Sequence, residues 1–375
     1  MRAYPHDPDR RRLLAMGAML GVAGLIAAGQ PAALWALEST SQRRDWYFSA
    51  ADAGDGSHHL AGICHDGSEH FLLPVPERCH GGCLRPHHPQ AVLFARRPGR
   101  HFHVIDARRQ TPLASIDAGE GYHFYGHGVF DPSGRWLYAT ANRLSDSMGL
   151  VRVYDAEDGY AHREDFSLDG IGPHELVLMP DGETLAVALG GIKTHPDSGR
   201  IKLNLSDMDP ALLLMNRRSG EILARHLPSH HQLSCRHLDV AVDGSLVAGY
   251  QFQGPVWETR HPLLARLTPQ GNLEEIPLPT ALQSNLGQYT ASVAMSQRHP
   301  RTLVTAPRGG CVVLLDHTSG KVIANPALED AAGARCDGQG GFIVTTGNGG
   351  VYRLGGDGAL AEIARLPVRW DNHLA

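Results

Sequence analysis

The segment GPHELVLMPDGETLAVALGG, residues 172–191, runs from a histidine through alternating apolar residues to an Asp-Gly turn and into a second β-rich run. Two further segments share that grammar, GHGVFDPSGRWLYATAN (126–142) and RHLDVAVDGSLVAGYQ (236–251). Each reads as a β-hairpin with strands of about five residues on either side of the turn. Weaker copies lie at HHPQAVLFARRPG (87–99), ASVAMSQRHPRTLVTAP (291–307) and ARCDGQGGFIVTTGNGG (334–350). Repeating units of roughly 40 to 50 residues with about four strands each are the mark of a β-propeller. Counted from His87 through His127, His174, His237, Ser292, Arg335 and His373, the registered positions number seven and predict seven blades. Little chain follows His373, so the N-terminal strands around DWYFSAADAGDGSHHLAGICHDG are expected to complete the last blade and close the ring. The longest gap holds GGIKTHPDSGRIKLNLSDMDPALL, expected to be an inserted loop over about residues 190–212. A two-domain β-sandwich assembly is the competing architecture.

Composition agrees with an all-β chain. Of 375 residues 42% are hydrophobic, enough for a sizeable core, and 43 glycines with 24 prolines favour short strands and turns over long helices. The formal charge of −5, with no basic tract beyond the N-terminus, excludes nucleic acid as a partner. Arg10-Arg11-Arg12-Leu13-Leu14 precedes the apolar run LLAMGAMLGVAGLIAAG, which resembles a twin-arginine export signal. Residues 1–36 are therefore expected to be a cleaved signal and 37–375 a single periplasmic propeller domain. The apolar run is about 17 residues, short for a stable membrane span, and none is expected after cleavage.

The 23 histidines are the unusual entry. In a propeller the innermost strands line a central channel, so residues at one repeat position face each other across it. His127, His174, His237 and His373, with His87 or His88, are thereby candidates for a shared transition-metal site of iron, copper or zinc. Gly134, Gly182 and Gly244 follow His127, His174 and His237 by about seven or eight residues, which supports their equivalence. Glu175, Asp239 and Asp371 are candidates for fixing the imidazole tautomers. The alternative for each histidine is a hydrogen-bonded core residue.

A second cluster holds Cys64-His65, His70, Cys79-His80, Cys83 and His87-His88, whose cysteines are expected to form a disulfide in an oxidising compartment, to bind metal with these histidines or to stay free thiols. Cys-His-Gly-Gly-Cys matches neither the redox nor the haem-attachment spacing. Cys235, Cys311 and Cys336 read as small core residues. The insertion carries Lys193, His195, Asp197, Arg200 and Lys202, and Arg96, Arg97 and Arg308 are further candidates for carboxylate or phosphate contacts. Nucleophile-elbow, zinc-protease and phosphate-loop motifs are absent.

ARRPG (95–99), FYGHGVF (124–130), LYATAN (137–142), GIGPHELVLMPDG (170–182), GGIKTHPDSGRIKLNLSDM (190–208), HHQLSCRHLDV (230–240), APRGG (306–310) and WDNH (370–373) together resemble a bacterial exported family catalogued as domain of unknown function 1513. The resemblance spans about residues 45–375. It implies a propeller-like fold and a setting near iron or metal acquisition, beside imelysin-like and haem-type oxidoreductase proteins, and brings no activity. The run CHDGSEHFLLPVPERCHGGCLRPHH is richer in Cys and His than the family pattern, so its cysteines inherit no role. The expectation is a periplasmic propeller that binds a transition metal at an axial histidine site and serves metal uptake with a periplasmic partner. The alternatives are a non-catalytic interaction scaffold, a metal-dependent lactonase-like hydrolase and an oxidoreductase.

Overall fold

A computed structural model describes residues 46–96, 99–199 and 201–375. The expected signal, residues 1–36, lies outside the described residues. Seven four-stranded antiparallel sheets form a seven-bladed β-propeller. The first blade is β1 (Trp46–Ala53), β2 (His58–Cys64) and β3 (His70–Val75), with β28 (Val368–Trp370) as its innermost strand. The second holds β4 (Cys79–Leu84), β5 (Gln90–Ala95), β6 (His101–Asp106) and β7 (Thr111–Asp117), and the third β8 (Tyr122–Phe130), β9 (Trp136–Arg143), β10 (Met148–Asp155) and β11 (Ala161–Ser167). The fourth is β12 (Pro173–Leu178), β13 (Thr184–Leu189), β14 (Ala211–Asn216) and β15 (Ile222–His226). The fifth is β16 (Leu233–Val240), β17 (Leu246–Phe252), β18 (Leu264–Leu267) and β19 (Leu273–Glu275). The sixth is β20 (Ser292–Met295), β21 (Arg301–Ala306), β22 (Cys311–Asp316) and β23 (Val322–Ala324), and the seventh β24 (Ala331–Cys336), β25 (Phe342–Thr346), β26 (Gly350–Leu354) and β27 (Leu360–Arg365).

Closure is by chain ends, as expected. In the first blade Ala51 pairs with Trp370 and Ala53 with Val368, and the chain beyond continues along β1, with Ala375 exchanging both backbone hydrogen bonds with Phe48. Every edge facing the axis is thus held within a complete sheet.

The strand patterns follow their depth in the blade. Middle strands such as TLAVAL (184–189) are sandwiched between neighbouring blades and are buried almost throughout, so they read as continuous apolar runs. Outermost strands such as TPLASID (111–117) alternate with solvent. The core lies between blades: Phe94 and Phe102 of the second pack edge-on against Phe124 and Tyr154 of the third, with ring centroids 5.1–5.8 Å apart. Each such fully buried aromatic contributes roughly 1.5–3 kcal/mol.

The insertion after β13 runs over residues 190–210 and contains one 3-10 turn, Pro196–Ser198. Asn204 pins its base, its Oδ1 accepting from Lys193 N at 2.6 Å and its Nδ2 donating to Gly191 O at 2.9 Å. A short helix, α1 (Thr280–Asn285), follows β19 and had no counterpart in the repeat pattern. Among the described residues no helix is long and apolar enough to cross a membrane.

Candidate metal centre

The innermost strands are not regular. The ladder slips between Cys79 and Gly82 in β4, between Phe124 and Gly128 in β8, between Pro173 and Leu176 in β12 and between Cys235 and His237 in β16. Each slip leaves extra residues on the axial strand, and a β-bulge of this kind re-aims the side chains it carries. His80, His127, His174 and His237 sit in or at the edge of these bulges. His373 follows the same rule: Asp371 N bonds Ala50 O and Ala375 N bonds Phe48 O, so the residues between them bulge from β1. The hydroxyl oxygen of Thr140 lies 3.3 and 3.1 Å from the carbonyl oxygens of His127 and His174, fixing the third blade's bulge to the fourth's.

Five imidazoles therefore meet on the axis. Taken in blade order, ring centroids are 5.1 Å apart for His80 and His127, 4.9 Å for His127 and His174, 4.9 Å for His174 and His237, 5.1 Å for His237 and His373, and 4.6 Å for His373 and His80. Across this closed ring His127 and His373 approach to 4.4 Å. Two donor sets have all ligand atoms within 4.8 Å of one another, His80 with His127 and His174, and His127 with Glu175 and His373. Metal–imidazole bonds of about 2.0–2.1 Å place donors on one ion about 3–4 Å apart, so only a small contraction is required.

The unpaired atoms point the same way. His127 Nε2, His174 Nδ1, His237 Nε2 and His373 Nε2 are buried without a hydrogen-bond partner, and His237 Nδ1 has only a Glu175 oxygen at 3.3 Å. Leaving a buried polar atom unpaired costs about 1–3 kcal/mol each, and four on one axis is a cost that a bound ion would relieve.

Burial holds all five imidazoles neutral, the form that ligates metal. His237 is brought down to about 3 by burial and then by the Arg236 charge. His127, His174 and His373 lie well below the ordinary value through burial, reinforced by charged neighbours and by one another. Burial likewise lowers His80, against the pull of Asp371. Asp371 Oδ1 stands 2.5 Å from His80 Nδ1, and the carboxylate also meets Arg78 at 3.1 Å and Arg96 at 3.3 Å. Although burial opposes it, His80 and Arg96 hold Asp371 well below the usual carboxylate range. The ionised carboxylate keeps the proton on His80 Nδ1 and leaves Nε2 as the free donor atom. Glu175 is the contrasting acid: burial pushes it up to about 8, opposed by its hydrogen bond from Leu238 N. Its two oxygens lie 3.7 Å from His127 Nδ1 and 3.3 Å from His237 Nδ1.

The structure thus brings together His127, His174, His237, His373, Glu175 and Asp371. It does not bring His87 or His88 to the axis. His87 occupies the β4–β5 turn with φ 62°, exposed, its Nε2 3.2 Å from Pro132 O, and His88 is exposed beside it. His87 is the positive-φ residue of this turn, one position ahead of the place where the other blades have their turn glycines, Gly134, Gly182 and Gly244. His80 precedes it by about seven residues, the same spacing that marked the other axial histidines. That spacing was the available signal, hidden because the turn Arg-Pro-His-His lacks Asp-Gly and because His80 lies inside a cysteine motif.

Asp239 accepts hydrogen bonds from Val240 N at 2.9 Å and Met295 N at 2.7 Å, tying β16 to β20 rather than orienting an imidazole. Cys64, Cys79 and Cys83 are free thiols, so the expected disulfide is not formed, and none of them joins a metal-ligating group among the described residues. Cys64 Sγ donates to Asp66 at 2.8 Å, while Cys79 packs in the core with Phe48 and Leu60, and burial raises the thiols of Cys79 and Cys83. Cys235 and Cys311 are buried and Cys336 half-buried. In the insertion His195 accepts from Asp197 N at 3.3 Å, and Arg308 covers the Tyr289 ring at 4.4 Å. Arg97 and Arg200 lie outside the described residues.

On the side of the β8–β9 and β12–β13 turns a cavity of about 550 Å3 opens onto the axis, lined by His127, Glu175, Asp239, Arg335 and His373. That size falls in the usual range for small-molecule sites, about 300–1,000 Å3.

The chain belongs to the family described as protein of unknown function, DUF1513, whose model matches residues 73–375. No curated protein matches the sequence. Among solved structures the chain is similar to Kuenenia stuttgartiensis hydrazine synthase, with 13% identity, TM-score 0.58, 84% of this chain covered and 94% of that one. At that identity the likeness is one of fold. A nidogen/laminin complex structure matches with 14% identity and TM-score 0.48, over 76% of this chain and 93% of that one.

Proposed function

We propose that this DUF1513 propeller binds a borderline transition metal, iron, copper or zinc, on its axial imidazoles and handles that metal in the periplasm as part of metal acquisition. The observation that carries the reading is the closed ring of five neutral histidines, four of which present a buried, unpaired nitrogen. A hard cation of the kind a lactonase-like site uses would call for oxygen ligands. Here the two donor sets hold four imidazoles, those of His80, His127, His174 and His373, against one carboxylate, Glu175, a set suited to Zn, Cu or Fe. His80, His127 and His174 would hold an ion deep on the axis, and His127, Glu175 and His373 one beside the cavity. Asp371 would set the donor atom of His80. The Arg-Arg leader and the family resemblance support the periplasmic setting.

The test is elemental analysis of the exported, untagged protein beside a His127→Ala, His174→Ala, His237→Ala variant. Stoichiometric metal in the first and its loss from a folded second is the expected result. No metal in either overturns the reading.

A further inference from the structure

Of the two donor sets, only the one formed by His127, Glu175 and His373 lines the cavity; His80, His174 and His237 do not. An ion held by those three residues would keep its remaining coordination positions turned to the cavity, which is the layout of an accessible site rather than a closed structural one.

Arg335 projects into the same space from β24, at one of the two axial positions where the repeat has no histidine. It is exposed and, among the described residues, makes no hydrogen bond and no ion pair within 4 Å. Arg78 and Arg96 differ, both being committed to Asp371. Arg335 acts on Glu175 and Asp239 only through its charge, without contact. Val129, Leu176, Val240 and Val293 line the cavity alongside these groups. A cavity with an apolar wall and a few convergent polar groups suits a small organic ligand with a polar end.

We propose that the cavity takes a small carboxylate-bearing molecule, one carboxylate ligating the ion at His127, Glu175 and His373 and a second polar end pairing with the guanidinium fork of Arg335. Arg is the side chain whose planar fork matches a carboxylate with two parallel hydrogen bonds. The acid enters either as the free anion or as the ligand of a delivered metal chelate. This assignment rests on the metal reading above.

Copper(II) is the probe ion, because it binds nitrogen sites most tightly in the divalent series, and malonate is the probe acid. Copper content of the full-length protein is measured first, then the visible and electron paramagnetic resonance spectra are titrated with malonate. A parallel arm offers preformed copper–malonate to metal-free protein; faster loading than with copper alone identifies the chelate as the source, and equal rates identify the free acid. The expected result is a saturable spectral shift, with malonate binding weakened about tenfold or more in Arg335→Gln and partly restored in Arg335→Lys. Copper bound without any malonate shift, or a shift indifferent to Arg335→Gln, overturns the acid assignment alone. Failure to bind copper overturns the metal reading and this one with it.

Discussion

Nδ1 of His80 stands 2.5 Å from Oδ1 of Asp371, a contact that joins the second blade to the chain segment closing the first. The same carboxylate receives Arg78, Arg96 and its neighbour's Asn372 N, so closure of the ring and orientation of an axial imidazole share one group. Asp371→Asn keeps an acceptor but loses the charge that fixes the His80 tautomer. Metal affinity, read by competition with a chelator, is expected to fall by roughly 10–100-fold.

His87 and His80 separate the turn from the axis. His80→Ala is expected to lower bound metal, whereas His87→Ala leaves metal content unchanged because its ring lies at the surface against Pro132 O. Elemental analysis of the two variants decides between them.

Glu175 gives the metal-free protein an alkaline sensitivity. Its folded value, about 8, stands above the ordinary 4.5, so its contribution to stability is complete below pH 4.5 and is lost as pH rises through 8. The Glu175 contribution to the melting temperature of metal-free protein should fall as pH rises from about 4.5 to about 8 and level off above, and Glu175→Gln should flatten that fall. Metal must displace this proton, so affinity should rise with pH up to about 8 in the wild type and less steeply in the variant.

His237 acts in the opposite direction. With a folded value of about 3 against 6.5, its contribution is complete above pH 6.5 and is lost as pH falls toward 3. The other four imidazoles are displaced the same way. Calorimetry of metal-free protein should therefore show a steep acid loss of stability beginning near pH 6.5, reduced in His237→Gln.

Gly126 marks how tightly the bulges are packed. It holds φ 105°, and a Cβ there would come 2.8 Å from His80 Cδ2. Gly126→Ala should cost about 1–3 kcal/mol in denaturant unfolding and displace His80 enough to lower metal binding.

The seven blades were legible in the sequence because the hairpins carry apolar runs at a recurring spacing, three of them with a turn glycine seven or eight residues after a histidine. His127, His174 and His237 were legible for the same reason, and His373 by its distance from the preceding repeat. His80 was not, since its turn carries no glycine, and the positive φ at His87, a non-glycine residue, leaves no mark in a repeat pattern. The bulges were also hidden, because a slip of one residue appears only when the partner strand is known. Asp239 could not be told from a ligand-orienting acid by adjacency alone; its partner, Met295 N, belongs to the next blade. The thiols of Cys79 and Cys83 show the reverse error: they lie four positions apart in β4, where the ladder and not a disulfide fixes their places.

The most direct measurement is anomalous diffraction at the absorption edge of the bound metal from crystals of the purified protein. The account predicts a peak on the propeller axis with nitrogens of at least three of His80, His127, His174, His237 and His373 about 2.0–2.2 Å away. A metal-replete crystal with no axial peak, and the imidazoles hydrogen-bonded to ordered water instead, would contradict it.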